Sequence, residues 1–290
     1  MNIQHYEILN KVVQLQNISK AANVLNLSQS GISYAIKNLE DELGVKLLIR
    51  NRTGVRLTKE GERIYKHSLL VTNANKNLLE EAVALKGLKK GTIKVGTFAS
   101  VTTHWIPKII STFKEKYPGI SIHIFEDDYQ TVEKGVLSGE LDCCFTILSD
   151  NKKLEYTPLK KDKLYCIVSN ENPLHKQKKI EISQIEEYPL IKPKTGWDNE
   201  ISDFFNRNNI NPPIAYEVSD DQSIIALVQA DLGINIRPGL VLKNPPANIT
   251  ALDLGDDAYR IIGLGTTKHA SHATNRFISV VTELFQEIEV

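Results

Sequence analysis

Apolar residues between Ser28 and Glu40 recur at the spacing of a helix, since Ile32, Ile36 and Leu39 fall on one face. That face must be buried. The opposite face carries short or flexible hydrogen-bonding side chains at Gln29, Ser30, Ser33, Tyr34 and Lys37. Ser28 is placed to cap the first turn, and Glu40 with Asp41 ends the run. A helix with these two faces can read the edges of DNA bases.

A second short helix precedes this one, with Ser19 as its predicted cap and Ala21 and Ala22 turned inward. Asn26 and Leu27 form the turn between the two helices. Two short helices joined in this way make a helix-turn-helix, whose second helix fits a major groove about 12 Å wide. Residues 1–15 form an amphipathic helix that packs behind the pair.

Two small strands are predicted downstream, Lys46–Arg50 and Val55–Leu57, around a polar turn. This hairpin is a wing that brings basic side chains beside the groove, at Arg50, Arg52 and Arg56. Surface arginines are usually solvated charges. Beside a recognition helix, however, these three and Lys37 are predicted to contact phosphates or bases. Gln29, at the helix start, can offer both a donor and an acceptor to an adenine edge.

In their order and spacing these residues resemble the LysR-type family of bacterial transcriptional regulators. The matching positions are Ser19, Ala21-Ala22, Leu25, Ser28-Gln29-Ser30, Ile32-Ser33, Ile36, Leu39-Glu40, Leu43-Gly44, Leu47, Arg50, Leu57-Thr58 and Gly61. The resemblance implies a winged helix-turn-helix that binds double-stranded DNA of approximate two-fold symmetry. It further implies a homodimer that pairs into a homotetramer, and it leaves RNA polymerase open as another partner.

A long helix is predicted to follow the wing, with Thr58 as its cap. Its charges match the helix dipole, with Glu60 and Glu62 in the first turn and Lys86, Lys89 and Lys90 in the last. A seven-residue repeat of Ile64, Val71, Leu78 and Leu85 is typical of a helix that pairs with another helix. The stripe would otherwise pack on the protein's own body, but a helix between two domains has little body to pack on. The resemblance likewise implies a linker helix that dimerises.

From Gly91 onward, strands alternate with helices, which is typical of a parallel α/β sheet. One series is predicted within residues 91–161, with a single helix across 101–117, and a second within 162–267. The last helix is predicted to return to the first lobe across residues 265–268. The chain is thus predicted to be α/β overall: a winged helix-turn-helix (1–58), a linker helix (59–90) and a two-lobed α/β domain (91–290). Lobe I comprises 91–161 and 268–290, lobe II comprises 162–267, and two crossovers leave a cleft between them.

The two-lobed region also resembles the LysR-type effector domain, which is like a periplasmic binding protein. Matches include Tyr117-Pro118, residues 139–142 and residues 226–234. The resemblance implies a small-molecule effector in the cleft. Because ligands of open α/β sheets collect beyond the carboxyl ends of strands, and helix starts there attract anions, the effector is predicted to be an organic acid.

The predicted effector contacts are hydroxyl and backbone groups at strand ends and helix starts, at Ser100, Thr102, Thr103, Thr146, Thr195 and Gly196. Each of them, taken singly, is also a good helix cap, so the prediction depends on their convergence from both lobes. Glu126, Asp127 and Asp128 end a strand near the same cleft. These carboxylates oppose an anion and leave a cationic or zwitterionic effector open.

Composition supports a protein that binds DNA by one end. The formal net charge is zero, yet residues 1–66 hold ten Lys and Arg against six Asp and Glu, whereas residues 91–290 hold 21 against 27. A basic head on an acidic body suits a polyanionic partner. The three cysteines show no disulfide spacing, and no apolar run has the length of a membrane span. Without a signal-peptide pattern, the expected location is the cytoplasm.

Catalytic motifs are missing from the sequence, which has no phosphate-binding glycine loop, nucleophile elbow or metalloprotease helix. We therefore expect no enzyme, no cofactor and no metal. Cys143 and Cys144 are interpreted as buried small hydrophobes, and His269 and His272 lack the partners of a metal site nearby. The alternative is a small-molecule-binding or enzymatic domain with an accessory nucleic-acid-binding head. Retention on heparin that falls steeply with salt would separate the two.

Overall fold

The head of the protein is a three-helix unit with a two-stranded wing. The computed structural model describes residues 2–51, 54–85, 91–148, 154–194, 199–243 and 246–286. The head consists of α1 (Ile3–Leu15), α2 (Ile18–Leu25), α3 (Gln29–Leu43), β1 (Leu48–Asn51) and β2 (Gly54–Leu57). Ile32, Ile36 and Leu39 of α3 share one buried cluster with Leu9 and Val12 of α1. The predicted winged helix-turn-helix is confirmed.

Helix α2 begins two residues earlier than its predicted cap requires. Asn17 caps it, because the side chain of Asn17 accepts a hydrogen bond from the backbone N–H of Lys20 at 2.9 Å. The prediction that Ser19 is the cap is wrong, since Ser19 lies inside the helix. Both residue types are good caps, so sequence preference alone does not separate two candidates this close. The turn after α2 is as predicted, with Asn26 in the left-handed region at a φ of 53°.

Helix α3 begins where the sequence predicts and ends later. The Oγ of Ser28 accepts a hydrogen bond from the backbone N–H of Gly31 at 3.0 Å, as expected of an N-cap. The helix then continues through Asp41 to Leu43 and stops at Gly44. The φ of Gly44 is 68°, the left-handed conformation that glycine adopts at little cost and that ends many helices.

The linker helix α4 spans Lys59–Leu85 and is joined tightly to the wing. The Oγ1 of Thr58 caps it, accepting from the backbone N–H of Gly61 at 2.8 Å, as predicted. A Cβ at Gly61 would collide with the carbonyl oxygen of Leu47, so only glycine permits this close approach. The predicted basic end at Lys86, Lys89 and Lys90 lies outside the described residues.

Helix α4 uses one side to hold the rest of the chain together. Asn10 of α1 donates to the Oγ1 of Thr72 at 3.0 Å. The Nζ of Lys76 donates to the carbonyl of Thr92 at 2.7 Å and pairs with Asp142 at 3.0 Å. Head, linker and the first lobe therefore contact one another through polar bonds along one face of α4.

The opposite side of α4 presents much of the predicted seven-residue stripe to solvent. Val71 is 43% exposed and Leu78 is 67% exposed, and Leu70 next to them is also exposed. Ile64, the first residue of the stripe, packs instead against the core of the head. The side chain of Leu85 lies outside the described part of the chain.

Lobe I is an α/β layer built on parallel strands. Its elements are β3 (Gly91–Thr97), α5 (Ala99–His104), α6 (Ile106–Lys116), β4 (Ile120–Glu126), α7 (Tyr129–Ser138), β5 (Cys143–Ile147) and α10 (His272–Phe285). Strand β3 pairs in parallel with both β4 and β5, as predicted. The single helix predicted across residues 101–117 is wrong, because the chain breaks at Trp105 into α5 and α6. Pro107 in the first turn of α6 explains the break, since proline lacks the N–H that a continuous helix needs.

Lobe II contains a second set of strands and helices. They are β7 (Leu190–Pro193), α8 (Asn199–Asn208), β8 (Ile214–Val218), α9 (Asp221–Gln229), β9 (Asn235–Pro238) and β10 (Ile249–Asp253), with short 3-10 turns at Pro173–Lys176 and Ile182–Glu187. Strand β7 pairs in parallel with β8. Apolar side chains of Ile201, Phe204 and Ile234 share the main core of this lobe. The predicted fold, α/β with two lobes, is confirmed.

Two long strands run side by side between the lobes and make the crossovers. They are β6 (Glu155–Ser169) and β11 (Tyr259–Thr266). The first half of β6 pairs with β11, and its second half pairs with β9 and β10 of lobe II. The predicted return across residues 265–268 is wrong, because residues 262–266 of β11 already pair with β5 in lobe I. Alternating apolar residues predict the strand but not the sheet that it joins.

The helices of the described ranges include none that is both long enough and apolar enough to span a bilayer.

Candidate DNA-binding surface and interlobe cleft

The outer face of α3 has the exposure that a recognition helix needs. Gln29, Ser30, Tyr34 and Lys37 are exposed and Ser33 is half-buried, whereas the residues of the inner face are buried. Side chains on this surface project outward because one face of the helix is fully used by the core. The surface offers amide, hydroxyl, phenol and ammonium groups, which together match base edges and phosphates.

The two described arginines of the wing lie on different faces of the hairpin. The Nη1 of Arg50 donates to the Oγ of Ser33 at 3.3 Å, so Arg50 lies against the recognition helix. In the hairpin Arg50 pairs with Val55, and Arg56 pairs with Ile49. Cross-strand partners point to the same face of a sheet and successive residues to opposite faces, so Arg50 and Arg56 project from opposite faces of the wing. The third predicted arginine, Arg52, lies outside the described residues.

A buried carboxylate fixes the recognition helix to the wing. The Oε1 of Glu40 accepts from the backbone N–H groups of Leu47 at 2.8 Å and Leu48 at 3.2 Å, and its Oε2 accepts from the Nζ of Lys46 at 2.7 Å. Burial raises the pKa of Glu40, but the hydrogen bonds from Lys46 and the two N–H groups outweigh it and lower the pKa. From the sequence pattern, Glu40 was predicted only to end the polar face of α3. Its hydrogen bonds to the wing were not predicted.

A cavity of about 200 Å³ lies between the two lobes. Lobe I contributes Phe98, Ser100, Glu126 and Tyr129, and lobe II contributes Glu200, Asp220, Asp221 and Arg237, with Arg260 between them. Arg237 is 4% exposed, and its Nη2 lies 2.8 Å from the Oδ1 of Asp221. Its Nε is buried and has no hydrogen-bond partner among the described residues. The guanidinium of Arg237 therefore retains unused capacity to bind an anion.

The structure brings only part of the predicted effector set to this cavity. Ser100 lines it, and Thr195 and Gly196 lie outside the described residues. Thr146 is fully buried and donates to Glu133 at 2.6 Å, and Thr103 is exposed on α5, so neither is among the described residues that line the cavity. Thr102 donates back to the carbonyl of Phe98 at 3.2 Å, a local bond within its own helix.

The acidic residues at the end of β4 also differ in whether they line the cavity. Glu126 lines the cavity, while Asp128 caps α7 by accepting from the backbone N–H of Thr131 at 2.8 Å. With Asp220 and Asp221 also in the walls, the cavity presents both carboxylates and guanidinium groups. Groups of both signs suit a ligand that carries an acid together with hydrogen-bond donors.

A buried charge network closes the lobes behind the cavity. The guanidinium of Arg260 binds Asp162 at 2.8 Å, Tyr129 at 2.9 Å, Ser100 at 3.0 Å and Glu200 at 3.1 Å. Burial raises the pKa of Glu200, against the opposing effect of Arg260. Sequence reasoning missed this network. Its one local signal was a charged Arg260 within the otherwise apolar strand β11.

The cysteines and the paired histidines occupy ordinary structural positions. Cys143 and Cys144 are buried in different apolar clusters on the two faces of β5, as predicted. Burial raises the pKa of Cys166 to about 12, which disfavours its thiolate. His272 lies 3.4 Å from Glu81, but the described residues contain no group of three or more side chains suited to a metal.

Family models match both parts of the chain. Residues 3–62 match the bacterial regulatory helix-turn-helix protein of the lysR family, and residues 86–286 match the LysR substrate binding domain. The chain belongs to the LysR family of bacterial transcriptional regulators. The resemblance noted in the sequence is thereby confirmed, together with a DNA-binding head and an effector-binding domain.

Relatives of this LysR-type regulator match it along nearly its whole length. The uncharacterized HTH-type transcriptional regulator YvbU of Bacillus subtilis is 30% identical, over 98% of this chain and 99% of its own. A full-length OxyR variant from Pseudomonas aeruginosa superposes with a TM-score of 0.80 at 21% identity, covering 100% of this chain and 99% of that one. Full-length CbnR bound to its target DNA gives a TM-score of 0.68 at 21% identity, with 98% and 99% covered.

Proposed function

We propose that this LysR-type regulator binds DNA through α3 and the wing and changes its DNA contacts when a small organic acid enters the interlobe cleft. Gln29, Ser30, Ser33, Tyr34 and Lys37 face the major groove in this proposal. Arg50 contacts the adjacent phosphates, Arg52 and Arg56 contribute along the backbone, and RNA polymerase is a further partner of the bound form. Such a protein works in the cytoplasm, where the chromosome is.

One observation carries the choice of an acid: the buried Nε of Arg237 has no partner among the described residues, and Arg237 lines the cavity. A buried donor without an acceptor costs about 1–3 kcal/mol, so a carboxylate that accepts from it gains this energy on binding. Arginine also matches the planar geometry of a carboxylate. QuiR, whose effector domain has a similar fold (TM-score 0.62, 23% identity), was solved with shikimate, itself a carboxylic acid.

The carboxylates in the cavity walls narrow the chemical class of the expected ligand. Glu126 and Asp220 are acceptors that favour hydroxyl or ammonium donors on the same molecule. We therefore propose a hydroxy acid or an amino acid, with its carboxylate between Arg237 and Arg260, which line the same cavity. Ser100 contributes a hydroxyl at the lobe I side of the cavity. Thr195 and Gly196, which lie outside the described residues, stay in the proposed set, whereas Thr102 leaves it because its hydroxyl bonds to Phe98 and it is not among the described residues that line the cavity.

The exposed side of α4 supports a dimer in this proposal. Val71 and Leu78 follow the seven-residue repeat and are exposed in the single chain, which is costly for large apolar side chains in a linker. A second copy of α4 would cover them, and paired heads would then read a DNA site of approximate two-fold symmetry. Pairing of effector domains would extend the dimer to a tetramer.

A ligand screen on the full chain tests the proposed effector class. Hydroxy acids and amino acids are expected to raise the melting temperature of the parent by mass action. Arg237→Gln should abolish that rise, whereas Arg63→Gln, which changes an exposed arginine on α4 that lines neither cavity between the lobes, should keep it. If amines without a carboxylate stabilise the parent and the acids do not, the proposed class is wrong.

A further inference from the structure

Glu200 reaches across the cleft from lobe II. It lies in the first turn of α8, yet its Oε1 accepts from the Nη1 of Arg260 and from the hydroxyl of Tyr129, each at 3.1 Å. Tyr129 belongs to lobe I, and Arg260 lies on the crossover strand β11. We propose that Glu200 is an internal ligand of Arg260, and that the carboxylate of an effector displaces it. This proposal rests on the proposed function, in which the cleft receives an organic acid.

Two carboxylates compete for the one guanidinium, and they are held very differently. Asp162 accepts from the Nε of Arg260 at 2.9 Å, and its other oxygen accepts from the backbone N–H of Leu240 at 2.9 Å. Glu200 uses one oxygen only; its Oε2 is buried without a hydrogen-bond partner among the described residues. Because Asp162 already balances the charge of Arg260, Glu200 is the surplus anion of the network.

The surplus carboxylate is also costly to keep ionised. Glu200 is 6% exposed, and burial raises its pKa. A buried charge is stable only when its hydrogen bonds are complete, and here one oxygen has none. An external carboxylate with further contacts to the cavity walls can therefore replace Glu200 on Arg260 at little net cost.

Glu200 and Arg260 form the wall between two spaces. They line the cavity of about 200 Å³ and also a second cavity of about 480 Å³ on the other side, next to Tyr259 and Arg207. When Glu200 leaves Arg260, the two spaces join at the guanidinium. The internal ligand thus sets the size of the site that an effector meets.

Displacement of Glu200 also changes how the lobes are held. The bonds from Glu200 to Arg260 and Tyr129 connect α8 of lobe II to lobe I and its crossover. A ligand that takes over Arg260 releases α8 from that attachment. Since an effector acts through its different affinity for two states, competition with Glu200 links binding to the relative position of the lobes.

Acetate serves as the probe, because it carries a carboxylate and little else, and acetamide is its neutral match. Melting temperature is followed against acetate concentration in the full chain for the parent, Glu200→Gln and Glu200→Ala. Glu187→Ala, which removes an exposed carboxylate that lines neither cavity, is the control. If Glu200 occupies Arg260 for at least about nine-tenths of the time, removing its charge should lower the half-saturating acetate concentration about tenfold or more.

The expected result is this gain in both Glu200 variants, none in Glu187→Ala, and no response to acetamide. Glu200→Gln keeps the side-chain volume, so it remains informative if Glu200→Ala folds poorly. A half-saturating concentration unchanged from the parent in Glu200→Gln would overturn the proposal. So would a gain that persists when Arg260→Gln is added to Glu200→Gln, because acetate would then bind without Arg260. Either failure leaves the proposed function intact, since that depends on the response of the parent to an acid and its loss in Arg237→Gln alone.

Discussion

Replacing Glu40 by Ala is predicted to detach the wing from the recognition helix without touching the DNA-reading surface. Glu40 is buried at the end of α3, and its carboxylate accepts from the N–H groups of Leu47 and Leu48 and from Lys46. Alanine supplies no acceptor for any of the three. The N–H of Leu47 is buried, so water cannot readily take the place of the carboxylate.

The size of the effect follows from these contacts. Two backbone N–H groups that lose a charged acceptor cost together about 2–4 kcal/mol, with Leu48 at the lower end because its bond is longer. The side chain of Lys46 is 72% exposed, so its ion pair adds only about 0–1 kcal/mol. Lys46→Ala is therefore the matched control, and Glu40→Gln, which keeps a neutral acceptor, should fall between the two.

Amide hydrogen exchange on the full chain measures this directly. A loss of about 2–4 kcal/mol should accelerate exchange at Leu47 and Leu48 about 30- to 1,000-fold in Glu40→Ala. DNA affinity should fall with it, because the wing no longer holds Arg50 beside α3. If Glu40→Ala exchanges like Lys46→Ala at these amides, the carboxylate does not hold the wing and the reasoning is refuted.

Acid should reproduce part of this effect. Since hydrogen bonds lower the pKa of Glu40 in the folded chain, its contribution to stability is complete above the ordinary value of 4.5 and is lost as the pH falls through the lowered pKa. The amides of Leu47 and Leu48 in the parent should therefore lose protection below about pH 4.5, whereas those of Glu40→Gln should show no such dependence on this group.

The remaining predictions concern the dimer, the wing and the cleft. Leu78→Asp, which places a charge in the exposed stripe of α4, should halve the mass measured by light scattering, and an unchanged mass would exclude pairing through this stripe. Arg50→Ala should reduce the salt slope of DNA binding by about one, whereas Arg56→Ala, on the other face of the wing, should reduce it less; equal slopes would contradict the assigned faces. Because burial raises the pKa of Glu200, the parent should gain stability relative to Glu200→Gln as the pH falls through that raised pKa toward 4.5, as measured by thermal unfolding; a parent that instead loses stability relative to the variant would contradict the raised pKa.

Sequence reasoning succeeded where structure depends on near neighbours. The buried face of α3 follows from the spacing of Ile32, Ile36 and Leu39, and the caps Ser28 and Thr58 act within three residues of themselves. The failures were of two kinds. Local alternatives of similar energy were misjudged, as with Asn17 against Ser19 at the start of α2.

Long-range pairing was the second and larger source of error. Arg260 bonds to Ser100, Tyr129, Asp162 and Glu200, which are 60 to 160 positions away in the sequence. No periodicity encodes such contacts, because they depend on how two lobes and two crossovers are arranged. For the same reason Thr146 was predicted to face the cleft, although it bonds to Glu133 inside lobe I.

The central claim is that an acid bound at Arg237 changes how the head contacts DNA. The most direct measurement is a footprint of the full chain on a DNA site selected from a random pool, with and without an acid that raises its melting temperature. The parent footprint should change on adding the acid. Arg237→Gln should give the same footprint as the ligand-free parent under both conditions. A parent footprint that stays unchanged at saturating acid, or an Arg237→Gln variant that responds like the parent, would contradict the claim.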